Sequence, residues 1–244
     1  GQGEKVPAGP AFMGPESLDA IGFAVREAGR LGLGIGLIVS NSWDAGGSWI
    51  PPELGTMGLF ASSVKVDGTK QLSLPLPFPE VKISPQNIKH KDLMRPDGLP
   101  RFYRDVAVLA IPAGDKSETI PLNRIIDLTD RLDRGGNLTG SLPEGEWEIV
   151  RYVCTNTGET LKLPSPNSDG LILDHFNPKA TTFHFNYILD RLESEIGGLS
   201  HSALEYLYLC SYEIRGMIWT PALAAEFQQR RGYNMTPYLP ALFE

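Results

Sequence analysis

Three short stretches of this chain carry side chains suited to chemistry on sugars. The first is Cys210-Ser211-Tyr212-Glu213, which closes an apolar run from Leu204 and is followed by Arg215 and Trp219. A glutamate at the end of a strand can serve as general base or nucleophile at a glycosidic bond, a reaction that uses two carboxyl groups on opposite sides of that bond. The same Glu213 can equally be half of a structural ion pair with Arg215, and spacing does not separate the two. The second stretch runs from Ser40 to Trp49 and offers Asn41, Trp43, Asp44 and Trp49 around Gly46-Gly47. Polar groups that grip hydroxyls beside indole faces that stack on a sugar ring are what a carbohydrate subsite needs. Read blandly, it is a capped turn with both indoles in the core. The third is Asp174-His175, where Gly170–Leu173 meets a loop. Asp174 can bind a substrate hydroxyl or a metal, or simply cap the helix that starts near Pro178.

Other chemistries find little support. His175 and His184 lack zinc-ligand spacing with a cysteine or second carboxylate. No Gly-x-Ser-x-Gly elbow occurs, and the glycines of Gly32–Gly36 precede their strand instead of following it, which argues against a dinucleotide loop. The net charge of -7 and a pI near 5.2 disfavour nucleic acid, because a phosphate-tracking surface needs clustered Lys and Arg. Membrane is an equally poor partner, since no apolar run approaches the roughly 20 residues that span a bilayer. Cys154 and Cys210 read as two separate thiols.

The elements that must position these groups follow from periodicity. Residues 17–31 place Leu18, Ile21, Val25, Ala28 and Leu31 on one helical face, and the run Leu33–Ser40 is apolar on both faces, as a covered parallel strand requires. From about Gly58 to Cys154 short β-branched and aromatic runs alternate with turn clusters, among them Tyr103–Pro112, Ile125–Leu128 and Trp147–Val153. Helical spacing returns at Phe183, Tyr187, Ile188, Leu192 and Ile196, then a strand over 204–210 and a helix over 221–231. This order predicts an α/β fold, an incomplete (β/α)8 barrel of the TIM type interrupted by a β-sandwich-like insertion. Residues 1–57 form the first barrel segment, 58–154 the inserted domain and 155–244 the second barrel segment.

With these pieces in order, the chain resembles glycoside hydrolase family 106, the α-L-rhamnosidases and their relatives. The resemblance is carried by Gly14–Ser17 with Ala24–Leu33, by Trp43–Trp49, Tyr103–Ala110, Asp127–Asp133 and Pro143–Trp147. It continues in Ser211-Tyr212-Glu213, Trp219-Thr220-Pro221, Glu226–Tyr233 and Pro237–Pro240. It implies an inverting hydrolase of rhamnosides in plant or bacterial polysaccharides, with Glu213 as general base; the substrate contacts expected from the residues themselves are Asn41, Trp43, Asp44, Trp49, Asp174 and Trp219. It also implies calcium near the sugar hydroxyls, as suits a hard cation with oxygen ligands. Its metal ligands in this chain are left unassigned. The general acid is expected on a later strand past Glu244, so the remainder of a parent polypeptide is an expected partner, and the family's polymeric substrates place the enzyme in the periplasm or outside the cell. Cys210 and Ile38-Val39 depart from the family pattern, which often has an aspartate at the first position and an asparagine at the second. The alternative is a non-catalytic carbohydrate-binding or scaffolding remnant that keeps the tryptophans without an acid partner.

Overall fold

The computed structural model describes residues 9–81, 93–114, 119–165 and 167–243. Along the chain lie α1 (Pro15–Leu31), β1 (Ile35–Ile38), β2 (Gly46–Gly47), β3 (Met57–Asp67), β4 (Leu72–Pro75), β5 (Tyr103–Pro112) and β6 (Ile126–Asp127). Then follow β7 (Asn137–Gly140), β8 (Glu146–Asn156), β9 (Leu171–Ile172), α2 (Pro178–Ile196), β10 (Leu204–Tyr208), β11 (Ile218–Trp219) and α3 (Leu223–Arg231). The elements divide into two compact units. One is a mixed α/β unit of the described residues up to Thr56 with those of 158–215, and the other is a β-rich unit of the described residues of 57–83, 90–157 and 216–244.

In the α/β unit, α1 opens on Pro15, whose missing N–H costs nothing at that position, and closes at Gly32 in the left-handed region. Asn177 caps α2 by accepting from the Lys179 N–H, and Gly197 ends it. The buried line of α2 is Ala180, His184, Ile188 and Leu192, one residue every turn. The expected stripe contained Ile188 and Leu192 but included Phe183, which is exposed. β1 and β10 pair in parallel, with α2 in the connection between them. Leu37, Leu204 and Leu207 pack with Met13, Val39, Ile188 and Leu192 against the helices.

The opposite face of this strand pair is open: Ile38, Tyr206 and Tyr208 are 47%, 62% and 53% exposed. The two-sided burial expected of β1 is therefore not found. Among the described residues the parallel sheet has two strands, so one layer of helices covers one face and a closed barrel is not formed.

The β unit is a five-stranded antiparallel sheet in the order β11-β3-β8-β5-β6, with a separate β4-β7 ribbon. The sheet is apolar on both sides, and alternation sorts the side chains. Ala107, Leu109, Tyr152 and Cys154 join one cluster, while Val108, Ala110 and Ile149 join another with Leu72 and Leu138 of the ribbon. The first cluster is completed by Trp219 and Leu239. Residues 216–243, expected in the second barrel segment, thus pack with the β unit instead, because their apolar groups cover an otherwise bare sheet face.

Candidate active site

β1 delivers the chain into the loop 39–45, where Asn41, Ser42, Trp43 and Asp44 each bond a neighbouring segment. The Asn41 amide bonds the Ser168 hydroxyl, and the Ser42 hydroxyl bonds the Lys162 carbonyl. The Trp43 carbonyl accepts from the backbone N–H of Ser211 at 3.1 Å and from its hydroxyl at 3.3 Å. Asp44 is fully buried, and its Oδ1 accepts the backbone N–H of Glu213 at 2.5 Å. The loop after β10 is therefore laid against the loop after β1 by three bonds, and Asp44 positions Glu213 instead of reaching solvent. The second oxygen of Asp44 and the side-chain oxygen of Asn41 are buried without a hydrogen-bond partner.

Gly46 and Gly47 form β2 and pair with β9. A Cβ on Gly46, which sits at φ 155°, would meet the Leu171 carbonyl oxygen, so glycine is required by close backbone approach. Trp49, expected on a sugar, stacks on Tyr187 with ring centroids 4.1 Å apart and donates its indole N–H to His184 Nδ1 at 3.2 Å. With Nδ1 accepting, His184 Nε2 carries the proton and donates to the Val39 carbonyl at 3.1 Å. Burial pushes the His184 imidazolium down to about 4, so the ring is neutral.

Glu213 is exposed. Its carboxylate accepts from Lys162 Nζ at 2.9 Å and from the Ser211 hydroxyl at 3.2 Å, and the Lys162 contact foremost holds its pKa below the usual range. Lys162 also reaches over the ring of Trp43, 5.5 Å from its centroid, and Trp43 itself is 53% exposed. Glu159 faces the other way in pKa. Its carboxylate accepts the Arg215 backbone N–H at 3.2 and 3.3 Å, while burial, aided by Asp44, raises it. Asp174 is buried and accepts the Phe176 N–H at 3.0 Å, a turn bond that prepares the Asn177 cap. Beside it Tyr212 meets His175 edge-on at 4.4 Å, and burial with the charges of Asp174, Glu159 and Asp44 pushes the phenol up to about 12.

Of the seven residues expected in the site, Asn41, Trp43, Asp44 and Glu213 are brought together, Asp174 lies within electrostatic reach through Tyr212, and Trp49 and Trp219 serve as packing. Trp219 is 3% exposed in the β-unit core, so the expected sugar contact is corrected to a core residue. Sequence reasoning missed Lys162 and Glu159. They lie in a loop with no periodicity or motif, and only the fold brings them to Glu213. Calcium finds no group of three Asp, Glu, His or Cys side chains arranged to hold it among the described residues, and Glu213 is engaged by an ammonium.

The sequence profile of glycoside hydrolase family 106, described as alpha-L-rhamnosidase, matches residues 2–119 and 102–244. The chain belongs to this family. A Formosa agariphila protein provisionally named a beta-glucuronidase is 28% identical over 97% of the chain, which spans 22% of that protein's length. The structure of a rhamnosidase from Novosphingobium sp. PP1Y superposes with a TM-score of 0.68 at 18% identity, over 98% of this chain and 37% of the rhamnosidase chain. At that identity the likeness is one of fold. The grouping around Glu213 thus lies in a chain of glycoside hydrolase family 106, and no helix among the described residues is long and apolar enough to cross a membrane.

Proposed function

We propose that this chain supplies the base side of an inverting glycosidase site that cleaves rhamnosides in oligosaccharides or polysaccharides outside the cytoplasm. The observation that carries the reading is the pairing of an exposed carboxylate with an exposed indole. Glu213 is held ionised at the end of the loop after β10, and Trp43, bonded to that loop through Ser211, offers a face for a sugar ring. A base must be ionised before it can take a proton from water, and Lys162 and Ser211 keep Glu213 so. Asp44 fixes the backbone from which that carboxylate projects. Inversion requires a second carboxyl roughly 6.5 to 9.5 Å away, with room for the water between. We propose that it comes from the remainder of a longer polypeptide, in keeping with the chain's 22% and 37% shares of the proteins it matches, and that the β-rich unit interrupts a (β/α) barrel completed there.

The test is Glu213→Gln in the full-length enzyme. Turnover of an aryl rhamnoside should fall about 10²-fold or more, as the loss of a general base does. Unchanged turnover in a folded variant would remove Glu213 from the mechanism.

A further inference from the structure

We infer that Lys162 is a gate across the sugar site and that Leu163 is the strained joint on which it opens; the inference rests on the sugar-site reading above and adds a step that precedes the chemistry. The Lys162 ammonium covers both working surfaces at once. It donates to Glu213 Oε2 at 2.9 Å, while the Ser211 hydroxyl donates to Oε1 at 3.2 Å, so each oxygen of the base already accepts a bond where a water would have to be held. The same ammonium stands over the Trp43 ring, 5.5 Å from its centroid, on a face that a sugar would use. A ligand that stacks there and brings a water to Glu213 must move it. Both partners of the ion pair are partly exposed, 34% and 41%, so the pair is weak enough to open in every turnover.

The backbone beside the lysine supplies the joint. Leu163 sits at φ 50°, in the left-handed region, where its Cβ crowds the following carbonyl oxygen. Pro164 behind it disfavours the right-handed helical region, so the relaxed choice for Leu163 is extended. Met13, the other described non-glycine residue at positive φ, is 4% exposed and held by packing with Val39, Ile188 and Leu192. Leu163 is 93% exposed, so its own side chain does not hold it. Its neighbours do. The Leu161 N–H donates to the Gly170 carbonyl at 3.0 Å, the Lys162 carbonyl accepts from the Ser42 hydroxyl, and the Ser165 carbonyl accepts from the Ser168 N–H at 3.0 Å. Strain of this kind persists only where the surroundings over-determine it, and the ammonium bond to Glu213 is one of those constraints. When a ligand lifts the ammonium away, residue 162 is released at its charged end and Leu163 relaxes toward the extended region, which offsets part of the lost ion pair. Glu159 lies within electrostatic reach of the same ammonium, so the departing cation stays beside an anion.

Substitutions at Leu163 separate the strain from the side chain, measured in the full-length enzyme with an aryl rhamnoside at neutral pH. Glycine and asparagine adopt the left-handed region far more readily than leucine, and alanine does not. Leu163→Gly and Leu163→Asn therefore stabilise the closed gate, and each should raise KM about fivefold while kcat stays within about twofold. Leu163→Ala keeps the strain and should keep the native KM. Lys162→Met removes the gate and should lower KM about twofold to fivefold, the worth of a partly exposed ion pair. Leu163→Gly added to Lys162→Met should no longer change KM. Circular dichroism confirms that each variant is folded. An equal rise in KM for alanine, glycine and asparagine overturns the joint and makes Leu163 a direct ligand contact. An unchanged KM with all three overturns the joint as well. A KM that does not fall in Lys162→Met overturns the gate. In each of these cases a Glu213→Gln enzyme that still loses about 10²-fold in turnover leaves the base assignment standing, whereas native turnover in Glu213→Gln removes the base and the gate together.

Discussion

At the scale of single residues the site is a competition for one carboxylate. Lys162 and Ser211 both donate to Glu213, and the Lys162 contact is the larger cause of its lowered pKa. The sign of the pH effect follows directly. The base form of Glu213 exists above its pKa and is lost as pH falls through it, so a depressed pKa extends activity toward acid. Removing the ammonium with Lys162→Met lets the carboxyl titrate at a higher pH. The acid limb of kcat/KM for a neutral aryl rhamnoside, measured in the full-length enzyme, is expected to move to higher pH in this variant. A limb that stays in place would mean that Glu213 is not the group whose protonation it reports. Glu213 itself was legible as a strand-end glutamate, and Trp43 as a candidate platform. Lys162 and Glu159 were not, because nothing local marks a lysine in an irregular loop as the partner of a glutamate 51 positions later. Asp44 was legible as a polar loop residue but not as a buried one that accepts the Glu213 backbone N–H, since that partner lies 169 positions later.

At the scale of elements, α2 and β1 are joined by a relay that periodicity alone does not disclose. His184 lies on the buried line of α2 and bridges the Trp49 indole to the Val39 carbonyl just past β1. The helix was expected from its apolar spacing and is present, but its inward face carries a histidine where the stripe was expected to hold only hydrocarbon. A folded-state value of about 4, against an ordinary 6.5, means that folding favours the neutral ring. The contribution is complete above about pH 6.5 and is lost as pH falls toward 4, where the unfolded chain binds a proton that the folded one refuses. Between pH 7 and 5 this amounts to about 2 kcal/mol. Urea midpoints followed by indole fluorescence should therefore fall across that window in the native chain. His184→Gln keeps a donor and an acceptor but does not titrate, so it should be less stable at pH 7 and show a flatter profile from 7 to 5. Parallel profiles for the two proteins would show that the drop belongs to other groups.

At the scale of the whole molecule, the chain is organised by which apolar groups cover which sheet. The β-rich character of the middle of the sequence was legible because its strands alternate or run apolar between turn clusters, and Tyr103–Pro112 is recovered as β5 at both ends. The destination of residues 216–243 was not, because Trp219 beside Glu213 reads in sequence as one loop of one site. In the structure Trp219 and Leu239, 3% and 1% exposed, sit in the cluster with Met57, Leu109 and Tyr152, and β11 is the neighbour of β3 in the sheet. Trp219→Ala should accordingly cost the β unit about 3–5 kcal/mol, the usual range for emptying a large aromatic site, and lower its thermal midpoint. It should leave turnover of an aryl rhamnoside by the folded full-length enzyme within about twofold, whereas Trp43→Ala should lower that turnover and leave the β unit's midpoint in place. Truncation after Arg215 is the stronger version of the same argument. It removes β11, α3 and Leu239 together, leaves β3 as an unpaired edge and exposes one apolar face of the sheet. Loss of cooperative unfolding in the β unit, with aggregation at micromolar concentration, is the expected result. A truncated chain whose β unit melts at the native midpoint would show that the sheet does not need this cover, and Trp219 would then have to be explained by something other than packing.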